Sequence, residues 1–373
     1  MKPDICEKLD IIDDLFTPER LVKSKERWRR LWNDEPVLDR YPFVYAPINV
    51  NYYAPAMNPE ERLRVMLDEI ILRGTIQDDF IPAFFPGCRQ ATIPNMFGAP
   101  EIKVGTSYDC ERIIFEADDV YRLPSLSMGE GTIANEWIAM QAYVMRETDN
   151  RLPIHVTDMQ GPVDVCGQMW GYDNLLAAAY TDPDEYHYLL EKVATAFNFF
   201  WQSQKFMAGK LFVGTHLFGW DWVPEGMGAT VSADSLVMVS SNFYQEFFQP
   251  YLEQISEYCG GITVHSCGDF SATIPALLKT KGIRGINAGQ MTLAQLVNAG
   301  ATKKVVIIAW ANDGNIEETF QLIREHNLRV SLTIGNYWPW ENGTPKPMSA
   351  WSADEREMFD GQFEKVLSLA TNV

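Results

Sequence analysis

The 373-residue chain has no run of about 18 uninterrupted apolar residues, so nothing in it predicts a membrane-spanning helix. Its start, Met1-Lys2-Pro3-Asp4, has an acidic residue where a secretory signal needs an apolar stretch, and a cytoplasmic enzyme is expected. Cysteine is sparse. Its six positions (6, 88, 110, 166, 259 and 267) have no framework-like spacing, which excludes a disulfide-stapled scaffold and predicts reduced thiols. Basic residues are also short, 31 against 50 acidic, and the net charge of −19 argues against nucleic acid or an anionic membrane as partner. The one dense basic run, Lys23 to Arg30, alternates with apolar residues and reads as the solvated face of a helix. Repeats, low-complexity tracts and Pro/Gly-rich linkers are missing too, so nothing divides the chain.

What remains is ordinary globular material, 46% hydrophobic and 22% charged, in which short apolar runs alternate with long helical stretches. Eight runs predict strands: Phe43 to Val50, Phe80 to Pro86, Pro153 to Met159, Lys210 to Phe218, Gly261 to His265, Ile283 to Ala288, Val305 to Trp310 and Arg329 to Ile334. Each is apolar almost throughout, as strands buried on both faces are. Helices are expected over Pro59 to Arg73 with Asn58 as cap, Pro183 to Met207 with Asp182 as cap, Phe243 to Tyr258, Ile316 to His326 and Asp354 to Leu369. The pattern predicts an α/β fold, a (β/α)8 TIM barrel over residues 41–373, preceded by a helical extension over 1–40. Residues 88–150 are too long for one crossover. An insertion between strands two and three is expected there, with short strands within Gly98 to Leu126 and a helix over Gly131 to Glu147.

In such a barrel the reacting groups project from the C-terminal ends of the strands. Those positions here carry Asn49 and Tyr53, Asp158 and Gln160, His216 with Trp220, Asp221 and Trp222, His265, Cys267 and Asp269, then Asn287, Trp310, Asn336 and Trp338. A polar and aromatic ring of this kind suits a mid-sized small-molecule substrate that stacks and hydrogen-bonds. Asn49, Tyr53, Asp158, Gln160, Trp220, Asn287, Trp310 and Trp338 are the expected substrate-binding residues. His216 and Asp221 read either as an acid/base pair or as loop-holding residues. The other three histidines, His155, His187 and His326, lie within a strand or on helices and read as structural.

His265-Ser266-Cys267 carries the sharpest signal. Residues two apart in an extended segment point the same way, so imidazole and thiolate can converge on one metal, and these donors suit Zn2+. A packed histidine beside a small buried cysteine is the plain alternative. Asp269, after Gly268, reads as the cap of the next helix.

Several motifs in order resemble the uroporphyrinogen decarboxylase superfamily. Gly161-Pro162 through Leu175-Leu176 to Asp182-Pro183 is similar to its "GP…LL…DP" stretch, and Ser240, Phe243, Phe247, Pro250 and Tyr251 to its "S…F…F…PY" segment. His265 to Asp269 looks like its "HxCGD", and Gly335-Asn336 followed by Gly343-Thr344-Pro345 like its final strand and turn. The resemblance runs from about residue 40 to the end. It implies a barrel and one of two chemistries. The true decarboxylases carry an arginine-rich "RQAGRY" segment to clamp carboxylates, whereas Ile48 to Tyr53 here holds no arginine. The other branch, zinc-dependent methyltransferases, moves methyl groups between a corrinoid (cobalamin) protein and a thiol or folate. Its zinc sits on HxC plus a later cysteine at the end of strand eight.

His265 and Cys267 match the first two zinc positions, and Asn336 falls at the third. Asparagine is a poor zinc ligand, so the resemblance leaves the third ligand open. Glu341, in the same loop, is the first choice, with Asp221, Cys166 and His216 behind it. The expected catalytic set is His216, Asp221 and Asn336, the expected cofactor Zn2+, and the expected partner a corrinoid protein. A decarboxylase of uroporphyrinogen or a related carboxylate, and a tetrapyrrole- or corrinoid-binding barrel without catalysis, are the alternatives.

Overall fold

Helix starts follow local chemistry. Asn58 accepts from the Glu61 amide at 3.0 Å with Pro59 at the first helical position, and the helix Pro59–Gly74 follows. Pro183 opens the helix Pro183–Ala208 without the expected cap, because the Asp182 carboxylate accepts from the Thr181 hydroxyl at 2.6 Å instead. Asp269 accepts from the Ser271 amide at 2.9 Å, which closes a turn ahead of the helix Ile274–Leu277 rather than capping it. The protein is described from a computed structural model, which covers residues 2–37, 39–45, 58–105, 107–215, 222–335, 338–342 and 344–373.

The strands are β1 (Phe43–Tyr45), β2 (Glu101–Val104), β3 (Ser107–Cys110), β4 (Ile154–His155), β5 (Phe212–Val213), β6 (Ala229–Ser232), β7 (Ile262–Ser266), β8 (Ile283–Ala288), β9 (Val306–Ala311), β10 (Arg329–Ile334), β11 (Trp340–Glu341) and β12 (Thr344–Pro345). Six of them form one sheet in the order β1-β10-β9-β8-β7-β6, with every neighbouring pair parallel. Helices such as Gln249–Cys259 and Ile316–His326 connect the parallel strands, as parallel pairing requires. The expected excursion between residues 98 and 126 is the antiparallel hairpin of β2 and β3.

Three expected strands are not formed as drawn, and residues 46–50 of the first expected strand lie outside the described residues; Pro153 to Met159 gives only the two-residue β4. Phe80 to Pro86 makes a single bridge, Phe84 to Ile154, because Pro82 and Pro86 remove donors that a ladder needs. Of Lys210 to Phe218, the described part gives only the two-residue β5, paired with β4, and residues 216–218 lie outside the described residues. The place beside β7 is taken instead by β6, four buried residues that include the small Ala229 and Ser232 and that the hydrophobic pattern did not single out. Backbone bonds continue the sheet past both its edge strands. The Asp79 amide donates to Phe43 at 3.0 Å, and the Ser232 amide donates to Met159, also at 3.0 Å.

Residues before β1 form two helices, Pro3–Leu15 and Pro18–Trp32. The second is not merely a solvated basic face. Arg27 Nη1 reaches the fully buried Asp79 at 2.7 Å, Arg40 Nη1 the same carboxylate at 2.5 Å, and Ser24 Oγ at 3.1 Å, while Trp28 Nε1 donates to the Asp79 carbonyl at 2.8 Å. Arg29 and Arg30, by contrast, pair with the half-exposed Glu26 on their own helix. No described helix is long and apolar enough to cross a membrane.

Candidate metal centre

Parallel register builds the site. β6 and β7 run side by side with Ser232 opposite His265, so the residues two further on, Asp234 and Cys267, leave the sheet as neighbours. The Cys267 amide donates to Asp234 Oδ1 at 2.7 Å and fixes that adjacency. His265 Nε2 lies 3.5 Å from Cys267 Sγ and 3.8 Å from Asp234 Oδ1. Ligand atoms of all three residues fall within 4.8 Å of one another. A tetrahedral zinc with bonds of roughly 2.0–2.3 Å sets its ligand atoms about 3.4–3.6 Å apart, so imidazole and thiol already stand at that spacing. The donor set of one nitrogen, one sulfur and one oxygen is compatible with Zn2+, and the described residues add no fourth donor to the cluster.

The neighbouring strand orients the imidazole. Asn287 stands opposite His265 in the β7–β8 register, and its Oδ1 lies 2.5 Å from His265 Nδ1. The other end of that amide, Nδ2, donates to the Ile308 carbonyl at 3.5 Å, so the oxygen faces the ring. The imidazole must then carry its proton on Nδ1, which leaves the Nε2 lone pair directed at Cys267 and Asp234. Gly289 matters for space. A Cβ there would lie 3.4 Å from His265 Cε1 and 3.5 Å from Cys267 Sγ, so a larger side chain at this position would crowd both donors.

Without a metal the thiol is not activated. Cys267 is exposed as a residue, yet its thiol is pushed up to about 12, first by partial burial of the sulfur, then by the charge and hydrogen bond of Asp234, and further by Asp158. Asp158 is itself buried. It accepts from Ser232 Oγ at 2.5 Å and from Gln160 Nε2 at 2.9 Å. Behind Asp234, the fully buried Asp164 accepts from both the amide (2.9 Å) and the hydroxyl (3.0 Å) of Ser235, which pins the start of the turn Asp234–Met238. Burial pushes the Asp164 carboxyl up to about 7, with the charge of Asp234 adding to the shift.

His265, Cys267 and Asn287 are thus brought together, with Asp158 close enough to act on the thiol and Gln160 bonded to it. Glu341 does not join the cluster; it is exposed on the β11–β12 hairpin. Cys166 is buried within the helix Pro162–Trp170. Trp338 Nε1 donates to the Lys346 carbonyl at 2.8 Å and its ring packs edge-on against Trp351 and Phe359, while Trp310 lies half-buried on β9. Trp222 lines a cavity bordered by β5 and by residues that lead into β4, β6 and β7. Asn49, Tyr53, His216, Trp220, Asp221 and Asn336 lie outside the described residues. Sequence reasoning missed Asp234, Asp164 and Ser235. The signal for Asp234 was its place two residues past an unrecognised strand.

Neither any protein-family profile nor any curated protein sequence matches the chain. Its fold is similar to that of a solved structure, a methyltransferase from Methanosarcina mazei, at a TM-score of 0.61 over 92% of this chain and 98% of that one, with 12% identical residues. Identity that low speaks for the fold alone.

Proposed function

We propose that the chain is a (β/α)8-barrel methyltransferase that holds Zn2+ on Asp234, His265 and Cys267 and moves a methyl group between a corrinoid protein or methylated small molecule and a thiol or folate acceptor. The observation that carries this reading is the three-donor cluster just past the ends of two parallel strands, where barrel enzymes place their chemistry. Barrel closure is supported by the backbone links beyond the six-stranded sheet. From β6 they pass to Met159, from Ile154 to Phe84, and from Asp79 back to Phe43 on β1. The reaction class is taken by analogy with the solved methyltransferase whose fold the chain resembles.

Bound on these residues, Zn2+ would lower the pKa of an acceptor thiol and present it as a thiolate. The rest falls to the chain's own residues. Asn287 holds the His265 proton on Nδ1, and the Cys267 amide orients Asp234. Cys267 gives up its thiol proton on ligation, which the neighbouring carboxylates oppose in the metal-free protein. An imidazole, thiol and carboxylate set is no clamp for a polycarboxylate, which favours this reading over the decarboxylase.

The test is metal content by elemental analysis of the purified, zinc-reconstituted protein. One equivalent is expected, reduced at least tenfold in affinity by Asp234→Ala and unchanged by Glu341→Ala. Loss of zinc in Glu341→Ala with retention in Asp234→Ala would overturn the ligand assignment, and no zinc in any form would overturn the mechanism.

A further inference from the structure

The parallel sheet has two ends, and the metal cluster occupies one of them. At the other, where Pro153 leads into β4, Gly228 into β6 and Cys259 towards β7, there is a cavity of about 420 Å3. The length of β7 puts it on the order of 15 Å from Cys267, so a ligand there would not reach the cluster.

Its lining is unusual for this chain. Lys25, Lys205 and Lys210 all border it although the net charge is −19, and Glu225 is the only acidic residue among the described lining residues. None of the three ammonium groups has a carboxylate partner among the described residues. Two stand over indoles instead: Lys205 Nζ is 5.2 Å from the centroid of Trp201 and Lys25 Nζ 6.0 Å from that of Trp222. The Trp201 ring is fixed by Nε1 donating to the Gly214 carbonyl at 3.1 Å and by edge-on packing against Phe212. Gly209, Gly214, Gly226 and Gly228 form much of the remaining wall, and a Cβ at Gly209 or Gly226 would meet nothing within 4 Å. Buried Thr215 also lines the cavity, and its hydroxyl has no hydrogen-bond partner among the described residues.

Three ammonium groups that have no carboxylate partner among the described residues repel one another around one cavity. A purely stabilising role for this end of the sheet does not call for them. We infer that the cavity is a second ligand site that takes a small planar aromatic anion, its ring against the half-buried Trp222 indole and its acid group on Lys205, Lys210 and Lys25. Indole faces bind flat rings, ammonium groups bind the anion, and the volume lies within the range of small-molecule pockets. The inference is independent of the metal-site reading.

Calorimetric titration of the full-length protein with 2-naphthoate, together with quenching of tryptophan fluorescence, tests it. Saturable one-to-one binding is expected, weakened about fivefold or more by the double substitution Lys205→Gln/Lys210→Gln and by added salt. Both lysines are exposed and have no ion-pair partner among the described residues, so the variant keeps its fold, which circular dichroism checks. Cys267→Ala should bind as the parent does. Absence of saturable binding at about 1 mM probe would overturn the inference. So would binding unaffected by the lysine substitutions, or binding lost in Cys267→Ala, which would place the probe at the metal cluster.

Discussion

His265 Nδ1 and Asn287 Oδ1 stand 2.5 Å apart across two neighbouring strands, and this one bond decides which ring nitrogen faces Cys267. Asn287→Ala should therefore free the ring to rotate and exchange tautomers. The expected result is a loss of about 10- to 100-fold in zinc affinity with little change in fold, measured by competition with a chelating dye. Asn287→Asp, which keeps an acceptor, should retain most of the affinity. Equal affinity in parent and alanine variant would show that the ring needs no partner to hold its orientation.

Cys267 is exposed but held as a thiol, at about 12 against an ordinary value near 9. In metal-free protein at pH 8 the thiolate fraction falls about 1,000-fold relative to an unperturbed cysteine, while the higher basicity returns roughly 30-fold in nucleophilicity. Alkylation by iodoacetamide should thus run on the order of 30-fold slower than for a free thiol. Asp234→Asn removes the opposing charge and should speed it. Mass-spectrometric labelling at Cys267 reads both rates, and fast labelling of the parent would contradict the account.

Asp164 and Asp78 share a different dependence on pH. Burial raises them to about 7 and about 6, well above the roughly 3.9 of an unfolded aspartate. The folded state therefore holds protons that the unfolded state has released. Their stabilisation is complete below about pH 4 and is lost as pH rises through the folded values. For Asp164 the difference is at most ~4 kcal/mol. Urea unfolding at pH 5 and pH 7.5 should show the parent losing stability on this account, and Asp164→Asn should flatten the slope. An unchanged slope would mean that Asp164 stays ionised when folded.

Asp79 is fully buried between Arg27 and Arg40. Asp79→Ala leaves two guanidinium groups without that counter-charge and should cost about 3–5 kcal/mol. Asp39→Ala, at a half-exposed partner of Arg27, should cost under about 1 kcal/mol. Denaturant melts of the two variants make the comparison, and similar losses would put the stabilisation elsewhere on the extension.

Much of the fold could be read from residue spacing, because the runs from residue 283 to 334 are long, apolar and bounded by clear helices, and β8 and β10 fall where expected. β6 could not. Its four residues mix small and polar side chains, and the more apolar stretch from Lys210 drew the assignment away. That single displacement hid Asp234, since a ligand supplied by a parallel neighbour is found only once the neighbour and its register are known. His265 and Cys267 were legible because their spacing lies within one strand end, and Asn287 because it ends the next strand, although its contact is with His265. Glu341 was chosen for proximity in sequence, which on a short hairpin says little about proximity in space.

The clasp on Asp79 also bears on how the chain is made. Residues 18–40, carrying Arg27 and Arg40, are synthesised before the carboxylate they close on, which emerges only after the helix Pro59–Gly74. Until then these arginines have no buried counter-ion, and the leading helices have no anchor. The helix Pro18–Trp32 must therefore wait for Asp79 before it can settle, and a ribosome paused ahead of that residue would present a helix still unable to dock.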